Sequence, residues 1–135
     1  MATANKALKN TNWILYQGAI FEFFFVLQDI NGNEVDTTAY VFEMHIKKEY
    51  SDDTTLIELT EGNGRITHEN DENGLIKFRL TAEETAALDI DIDDSNTNPP
   101  SEIWVYDMEG HPGTGIADNV KYLVGEIKAF AEVTI

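Results

Sequence analysis

The chain has 135 residues, 42% of them hydrophobic, which is enough for one domain with one core and too short for two. It carries 25 Asp and Glu against 9 Lys and Arg, a formal net charge of −16, so its electrostatic field repels phosphate and we expect no nucleic-acid partner. The sequence has no cysteine, which excludes disulfides and thiolate metal sites. It has no apolar run of about 18 residues, the length of a membrane span, so we expect no association with a membrane.

The chain begins with a polar and basic segment, MATANKALKNTN, which contains Lys6 and Lys9 and no acidic residue. It lacks the continuous apolar region of a secretory signal, so we expect synthesis in the cytoplasm. The segment also has too few apolar residues to form a core. We therefore predict a flexible basic arm over residues 1–12, which binds an acidic surface, and a single β-sandwich domain over residues 13–135.

The first long predicted strand, IFEFFFVLQ at 20–28, has apolar residues on both faces. One face is formed by Phe21, Phe23, Phe25 and Leu27, and the other includes Phe24 and Val26. Leaving a Phe or Val side chain in water forgoes roughly 1.5–3 kcal/mol relative to burial, so we expect Phe24 and Val26 to be covered. The cover is either the chain's own helix or arm, through Trp13 or Leu15, or a neighbouring subunit.

The following segments also have strand periodicity, with turn residues between them. Asn-Gly chemistry in DINGNE at 29–34 predicts a tight turn. Strands are predicted at 40–47, 55–59, 65–67, 75–80, 102–109 and from 120 to the last residue. Alternation in three of these strands predicts an inward-facing set, formed by Tyr40, Phe42, Met44, Ile46, Ile76, Phe78, Leu80, Trp104, Tyr106 and Met108.

One segment has helical rather than strand character. In TAEETAAL at 81–88, Thr81 can cap a helix, Glu84 stands three residues later as in a capping box, and alanines favour helix. Residues 89–101 are acidic and polar and contain Pro99 and Pro100, so they form a loop. The overall pattern is typical of an all-β sandwich with one short helix at about 81–88.

We find no catalytic, cofactor-binding or metal-binding motif, and we expect no enzymatic activity and no cofactor. Asp89, Asp91 and Asp93 alternate as in an EF-hand loop, but Asp94 occupies the glycine position and Pro100 the bidentate position. A looser calcium site over 89–95 is left open. The GTG segment at 113–115 lacks the Gly-Lys-Ser/Thr ending of a phosphate-binding loop.

The histidines and serines carry no recognisable site either. The histidines have no metal-ligand spacing, and each is interpreted as an ordinary surface or loop residue: His45, His68 and His111. The serines stand in no nucleophile turn: Ser51, Ser95 and Ser101.

The order of several short sequence words resembles that of small virion proteins of tailed phages. These words are YQGAIF (16–21), DINGNEVDTTAY (29–40), MHIK (44–47), LIELTEGNGRI (56–66), GLIKFRLTAEETAAL (74–88), WVYDME (104–109) and LVGEIKAFAEVT (123–134). The resemblance implies an immunoglobulin-like antiparallel β-sandwich similar to the N-terminal domain of phage baseplate upper proteins, without catalytic residues. The chain departs from the usual pattern at Ala39, where a glycine is expected, and in enlarged loops on either side of the WVYDME strand.

The resemblance therefore predicts a non-enzymatic structural or adaptor protein of the virion, made in the host cytoplasm and placed at the baseplate, tail or head-to-tail neck. Its partners would be other virion proteins, with repeated copies arranged by the symmetry of the particle. The predicted protein-interaction residues are Lys6, Lys9, Trp13, Phe24 and Val26. Two alternatives are a capsid decoration protein and a carbohydrate-binding sandwich, for which Trp104, Tyr106 or Trp13 would present an aromatic platform.

Overall fold

A computed structural model describes residues 9–90, 101–113 and 119–131 of the chain. Among these residues, no helix is long and apolar enough to span a membrane. The strands are β1 (Lys9–Asn10), β2 (Trp13–Tyr16), β3 (Phe21–Val26), β4 (Tyr40–Lys47), β5 (Ile57–Thr60), β6 (Ile66–Asn70), β7 (Leu75–Leu80), β8 (Ser101–Pro112) and β9 (Val120–Phe130). One α-helix, α1 (Ala82–Ala86), follows β7, and a single 3₁₀ turn at Asp71–Asn73 separates β6 from β7.

The strands form two sheets that pack face to face. The larger sheet has the order β9-β8-β4-β5, with β1 and β2 both paired to the outer side of β9, and the smaller has the order β3-β7-β6. This is the division of strands in an immunoglobulin domain, with G, F, C and C′ in one sheet and B, E and D in the other. The predicted all-β, immunoglobulin-like sandwich is confirmed. Its pairs are antiparallel except those of β1 and β2, which run parallel to β9.

The core lies between the two sheets and is built from the alternating residues that the sequence predicts. Of the ten predicted inward-facing residues, nine are at most 1% exposed and Tyr40 is half-buried. Phe21, Phe23 and Leu27 of the β3 segment are also buried. Because side chains of a strand alternate between its two faces, these positions leave their neighbours on the outer faces of the sheets.

The short helix is fixed by its own capping residues. The Thr81 hydroxyl accepts from the Glu84 N–H (3.1 Å), and the Glu84 carboxylate accepts from the Thr81 N–H (2.9 Å), which completes the predicted capping box. The hydrogen bond from the Thr81 backbone lowers the pKa of Glu84. Thr85, which is buried, donates to the Ala19 carbonyl (2.8 Å) and so joins α1 to the turn between β2 and β3.

The predicted turn at 29–34 is also present. One carboxylate oxygen of Asp29 accepts from the N–H groups of both Asn31 (2.9 Å) and Asn33 (3.0 Å). Gly32 has a φ of 83°, which glycine adopts without steric cost. The Asp-Asn alternation at this position therefore serves the backbone of the turn.

The segment predicted as a flexible arm is partly built into the larger sheet, which corrects the boundary at residue 12. Lys9 and Asn10 form β1, and the Thr11 N–H continues the pairing by donating to the Val124 carbonyl (2.9 Å). The Asn12 side chain accepts from the Glu126 N–H (3.0 Å). Sheet structure therefore includes residues 9–12, ahead of the predicted boundary at Trp13, and residues 1–8, including Lys6, lie outside the described residues.

A buried tyrosine anchors this N-terminal segment. The Tyr106 hydroxyl donates to the Thr11 carbonyl (2.6 Å) and accepts from the Trp13 indole N–H (2.8 Å). Burial raises the pKa of Tyr106 to about 12, so the hydroxyl keeps the proton that it donates. Trp13 also stacks on Phe23 at a centroid distance of 4.2 Å, which brings the segment against the inner side of the smaller sheet.

We predict that Gly125→Ala destabilises the fold by about 1–3 kcal/mol, because the new methyl group overfills this contact. A Cβ atom at Gly125 would overlap the Thr11 carbonyl and lie 2.9 Å from the Asn12 side-chain oxygen. Urea unfolding at equilibrium measures the change.

The matched control is Gly62→Ala, at which a Cβ atom meets nothing closer than 3.8 Å. Its unfolding free energy should stay within about 0.5 kcal/mol of the wild type. Equal stability of the two variants would contradict the close packing of residues 9–12 on β9.

Candidate protein-interaction surfaces

The β3 patch, which we define as Phe24 and Val26, lies on the outer face of the smaller sheet. Phe24 is 52% exposed and Val26 is 37% exposed, so the described part of the chain leaves both in contact with solvent. Phe24 stands opposite Lys77 on β7, and Val26 stands opposite Leu75. The β3 patch thus has the charged side chain of Lys77 beside Phe24 and the apolar side chain of Leu75 beside Val26.

Cover of this patch through Trp13 or Leu15, as one of the two predicted alternatives had it, is wrong. Leu15 is completely buried in the core, and Trp13 is half-buried against Phe23 on the inner side of the same sheet. Neither residue reaches the outer face that carries Phe24, and α1 leaves that side chain exposed. Trp13 holds the N-terminal segment to the core, and its predicted contact with another protein stays a prediction. Cover of the β3 patch by a neighbouring subunit stays a prediction.

A second apolar surface, which we call the β2 patch, lies on the outer face of the larger sheet. Ile14, Tyr16 and Ile103 are each more than half exposed, and Tyr16 stacks on the half-buried Phe130 at 5.3 Å. The pairing places Ile14, Lys128 and Ile103 side by side across β2, β9 and β8. The β2 patch is formed by Ile14, Tyr16, Ile103, Phe130 and the stem of Lys128.

The β2 patch was not predicted from the sequence, although the alternation of residues in β2 is a signal for it. In WILY at 13–16, burial of Trp13 and Leu15 turns Ile14 and Tyr16 outwards, as period two requires. The strand is only four residues long, and its partners Ile103 and Lys128 come from distant parts of the sequence. Alternation thus predicts on which side of the sheet each residue lies, but not which residues of other strands lie next to it.

Lys128 differs from the other cationic side chains of the described residues. Its ammonium group lies 5.2 Å from the centre of the Phe130 ring, and it has no ion pair or hydrogen bond within the described ranges. The other cationic side chains described there each have such a partner: Lys47, Lys48, Arg65, Lys77, Arg79 and Lys121. The β2 patch therefore combines exposed apolar surface with a cation that has no carboxylate partner in the described part of the chain.

Carboxylates cluster farther along the outer face of the larger sheet. Two of them, Glu43 and Glu109, stand directly opposite each other on β4 and β8, an arrangement in which like charges repel. Within the described ranges, the side chains of Glu43, His45 and Glu109 form the group that could hold a metal ion, with ligand atoms within 4.8 Å of one another. His45 lies 3.3 Å from both Glu43 and Glu58.

A lysine already neutralises part of this cluster. The Lys121 ammonium group lies 2.7 Å from Asp107 and 3.5 Å from Glu109. The hydrogen bond with Asp107, followed by attraction from both carboxylates, raises the pKa of Lys121 against the opposing effect of burial. The cluster is therefore a group of carboxylates around His45 and Lys121, in which Lys121 supplies the positive charge. The calcium loop left open at 89–95 extends beyond the described residues after position 90.

An open groove of about 610 Å³ lies between β5 and α1. The Arg65 guanidinium in this groove already has partners within the chain, because it donates to the Glu84 carboxylate and to the Glu58 backbone carbonyl. The capping-box residue Glu84 thus also holds the helix to the start of the β6 segment. We assign this contact a structural role.

His68 joins the two sheets through a pair of carboxylates. Its Nδ1 lies 2.5 Å from Asp71, and its Nε2 lies 2.8 Å from Glu61. The other oxygen of Glu61 accepts from the Phe42 N–H on β4 (2.8 Å), and the Asp71 carboxylate also accepts from the buried Thr37 hydroxyl (2.9 Å). The interpretation of His68 as an ordinary surface residue is wrong.

Each ring nitrogen of His68 faces a carboxylate oxygen, so the protonated ring, which donates from both nitrogens, satisfies both contacts. Burial opposes this charge, but the hydrogen bonds and attraction from Asp71 and Glu61 outweigh burial and raise the pKa of His68. His111 is also buried, at 7% exposed, so the same interpretation is wrong there, whereas His45 faces outwards as predicted.

Comparison of the sequence with known protein families finds no match, and comparison with curated proteins finds none. Among solved structures, the chain is similar to one from work described as "Structural basis of T cell specificity and activation by the bacterial superantigen toxic shock syndrome toxin-1". The TM-score is 0.40 at 11% identity, over 90% of this chain and 92% of that one. A likeness at this level carries no functional argument.

The His68 network predicts a pH dependence of stability. A group whose pKa is higher in the folded than in the unfolded chain stabilises the fold below the unfolded pKa, about 6.5 for histidine. That stabilisation is lost as the pH rises through the folded pKa of His68. Between about pH 5 and pH 9, the wild type should therefore lose more unfolding free energy than His68→Gln.

Urea unfolding across this pH range tests the prediction, with Ile30→Gln, at an exposed position that carries no titratable group, as the control. The control should follow the wild type. Parallel pH profiles for the wild type and His68→Gln would contradict a stabilising imidazolium at this position.

Proposed function

We propose that this chain is a non-enzymatic structural or adaptor protein of a tailed-phage virion, which binds neighbouring virion proteins at the baseplate, tail or head-to-tail neck. The observation that carries this proposal is the presence of apolar patches on the outer faces of both sheets. The β3 patch exposes Phe24, and the β2 patch exposes Ile14, Tyr16 and Ile103, each by more than half. Clustered exposed apolar side chains are typical of protein-binding surfaces.

Placement of the two patches favours an adaptor over a protein with a single partner. They lie on opposite sheets of one rigid sandwich, so one copy can contact two neighbours at once. The core between them is continuous, from Phe23 and Phe78 on the smaller sheet to Trp104 and Met108 on the larger one. A packed core of this kind holds the two surfaces at a fixed separation.

Support for a virion protein in particular comes from the order of sequence words shared with small phage proteins. In the fold, YQGAIF spans the turn from β2 to β3, and DINGNE forms the next turn. The shared words are thus residues that determine the sandwich and its turns. Position on the particle, and repetition of the chain by the particle's symmetry, belong to the proposal.

The glycan-binding alternative has less support from the aromatic residues that it needs. Trp104 and Tyr106 are at most 1% exposed, and Trp13 is half-buried with its indole N–H bonded to Tyr106. These side chains present no platform on which a sugar ring could stack. A capsid decoration protein would use the same two patches, and mapping of the chain in intact particles by electron microscopy separates that alternative from the tail and the neck.

We predict that Phe24→Thr and Ile14→Thr each lower incorporation of the chain into particles, because each removes apolar contact area from one patch. The exposed side chains contribute little to the fold, so unfolding free energies should change by no more than about 0.5 kcal/mol. Quantitative mass spectrometry of purified particles measures the copies incorporated.

Ile30→Thr is the matched control, since Ile30 is 72% exposed and lies outside both patches. It should be incorporated at the wild-type level. Absence of the wild-type chain from purified particles would overturn the proposed function, and normal incorporation of both patch variants would remove the patches from it.

A further inference from the structure

The β2 strand lies at an edge of the larger sheet. It pairs with β9 on one side, and no strand of the described residues pairs with it on the other. Thr11 and Gln17 direct their N–H groups to β9, at 2.9 and 3.0 Å. Because backbone direction alternates along a strand, the N–H and C=O groups of Ile14 and the N–H of Tyr16 point to the open side. The Tyr16 carbonyl accepts from the Ala19 N–H (3.1 Å) in the turn that follows.

An open strand edge is a template for an added strand from another chain, which gains main-chain hydrogen bonds there. At β2, the edge coincides with an apolar surface, since Ile14 and Tyr16 also expose their side chains on the outer face. An incoming strand would therefore gain both main-chain pairing and apolar contact at one place. The open main-chain groups of β2 and the apolar side chains beside them together favour an extended peptide segment as the occupant.

Lys128 adds a requirement of charge. It lies between Ile14 and Ile103 in the cross-strand row, and within the described ranges it has no carboxylate partner. Covering the apolar patch would remove water from around this ammonium group, which is costly unless an opposite charge is supplied. The occupant should therefore bring a carboxylate to Lys128.

We propose that the β2 edge and the β2 patch together bind an extended segment of another protein, which adds as a strand beside β2 and places a carboxylate on Lys128. This inference deepens the proposed function, on which the identification of the partner as a virion protein rests. Adjacent strands lie about 4.8 Å apart, so the added strand would run about 10 Å from β9. An extended lysine and a glutamate side chain together cover that distance.

A second copy of the same chain is a poorer occupant. Two copies related by a twofold axis at this edge would bring the Lys128 ammonium groups of both towards one interface, without the carboxylate that each requires. Each copy also carries a net charge of −16, so their overall fields repel. A different chain satisfies both conditions if its strand has apolar residues and at least one Glu or Asp, and if the chain as a whole carries no large negative charge.

The test is selection of binding peptides on the immobilised wild-type chain from a displayed random library. The peptides are about ten residues long, which is the upper end of the usual strand length. Enriched peptides should alternate apolar residues with others and contain a carboxylate. Synthetic copies should slow amide hydrogen exchange at Ile14 and Tyr16. Lys128→Glu should weaken their binding at least about tenfold, which corresponds to ~1.4 kcal/mol.

Two controls separate the site from the rest of the surface. Lys121→Gln changes another exposed lysine of β9, and Phe24→Thr changes the opposite sheet, and both should bind the peptides as the wild type does. Urea unfolding verifies that Lys128→Glu remains folded. A further selection on Lys128→Glu should enrich peptides with Lys or Arg in place of the carboxylate.

Failure to enrich peptides, enrichment without a carboxylate, protection of other strands, or equal binding to Lys128→Glu would each overturn the inference. If that happens while the patch variants still lower incorporation into particles, the proposed function stands without this site. If the peptides bind as predicted but the chain is absent from particles, the edge site stands and the proposed function does not.

Discussion

The hydroxyl group of Tyr106 holds together the parts of this molecule on which its candidate surfaces depend. It is buried, donates to the Thr11 carbonyl and accepts from the Trp13 indole, so one side chain of β8 fixes the segment that leads into β2. That contact sets which side of β2 faces the core. Leu15 then fills the interior while Ile14 and Tyr16 face solvent, which creates the β2 patch.

The sequence was sufficient to predict the fold class and the core, because both follow from local rules. Alternation along a strand identifies residues such as Phe42 and Trp104 as inward, whatever strand lies next to them. The helix was predictable because Thr81 and Glu84 satisfy each other within one turn. Pairing of residues 9–12 with β9 was not, since it joins a polar segment to partners more than a hundred residues away.

The candidate site was predictable only in part, for a related reason. Phe24 and Val26 stood out because they interrupt the alternation of a single strand. The β2 patch draws its members from β2, β8 and β9, and the surroundings of His68 come from the loops that carry Glu61 and Asp71. A single sequence contains no direct record of such neighbours, so surfaces and networks assembled from distant segments appear only in the folded chain.

The parallel pairing of β2 with β9 has a mechanical consequence. Among the described residues, Lys9 lies beside Leu123 and Phe130 lies beside Tyr16, so Lys9 and Phe130 are at opposite ends of the paired strands. Tension between those points pulls along the strands and shears the hydrogen bonds of this pair collectively, whereas a perpendicular pull would break them in succession. The parallel pairing therefore resists tension along the strands more strongly than tension across them.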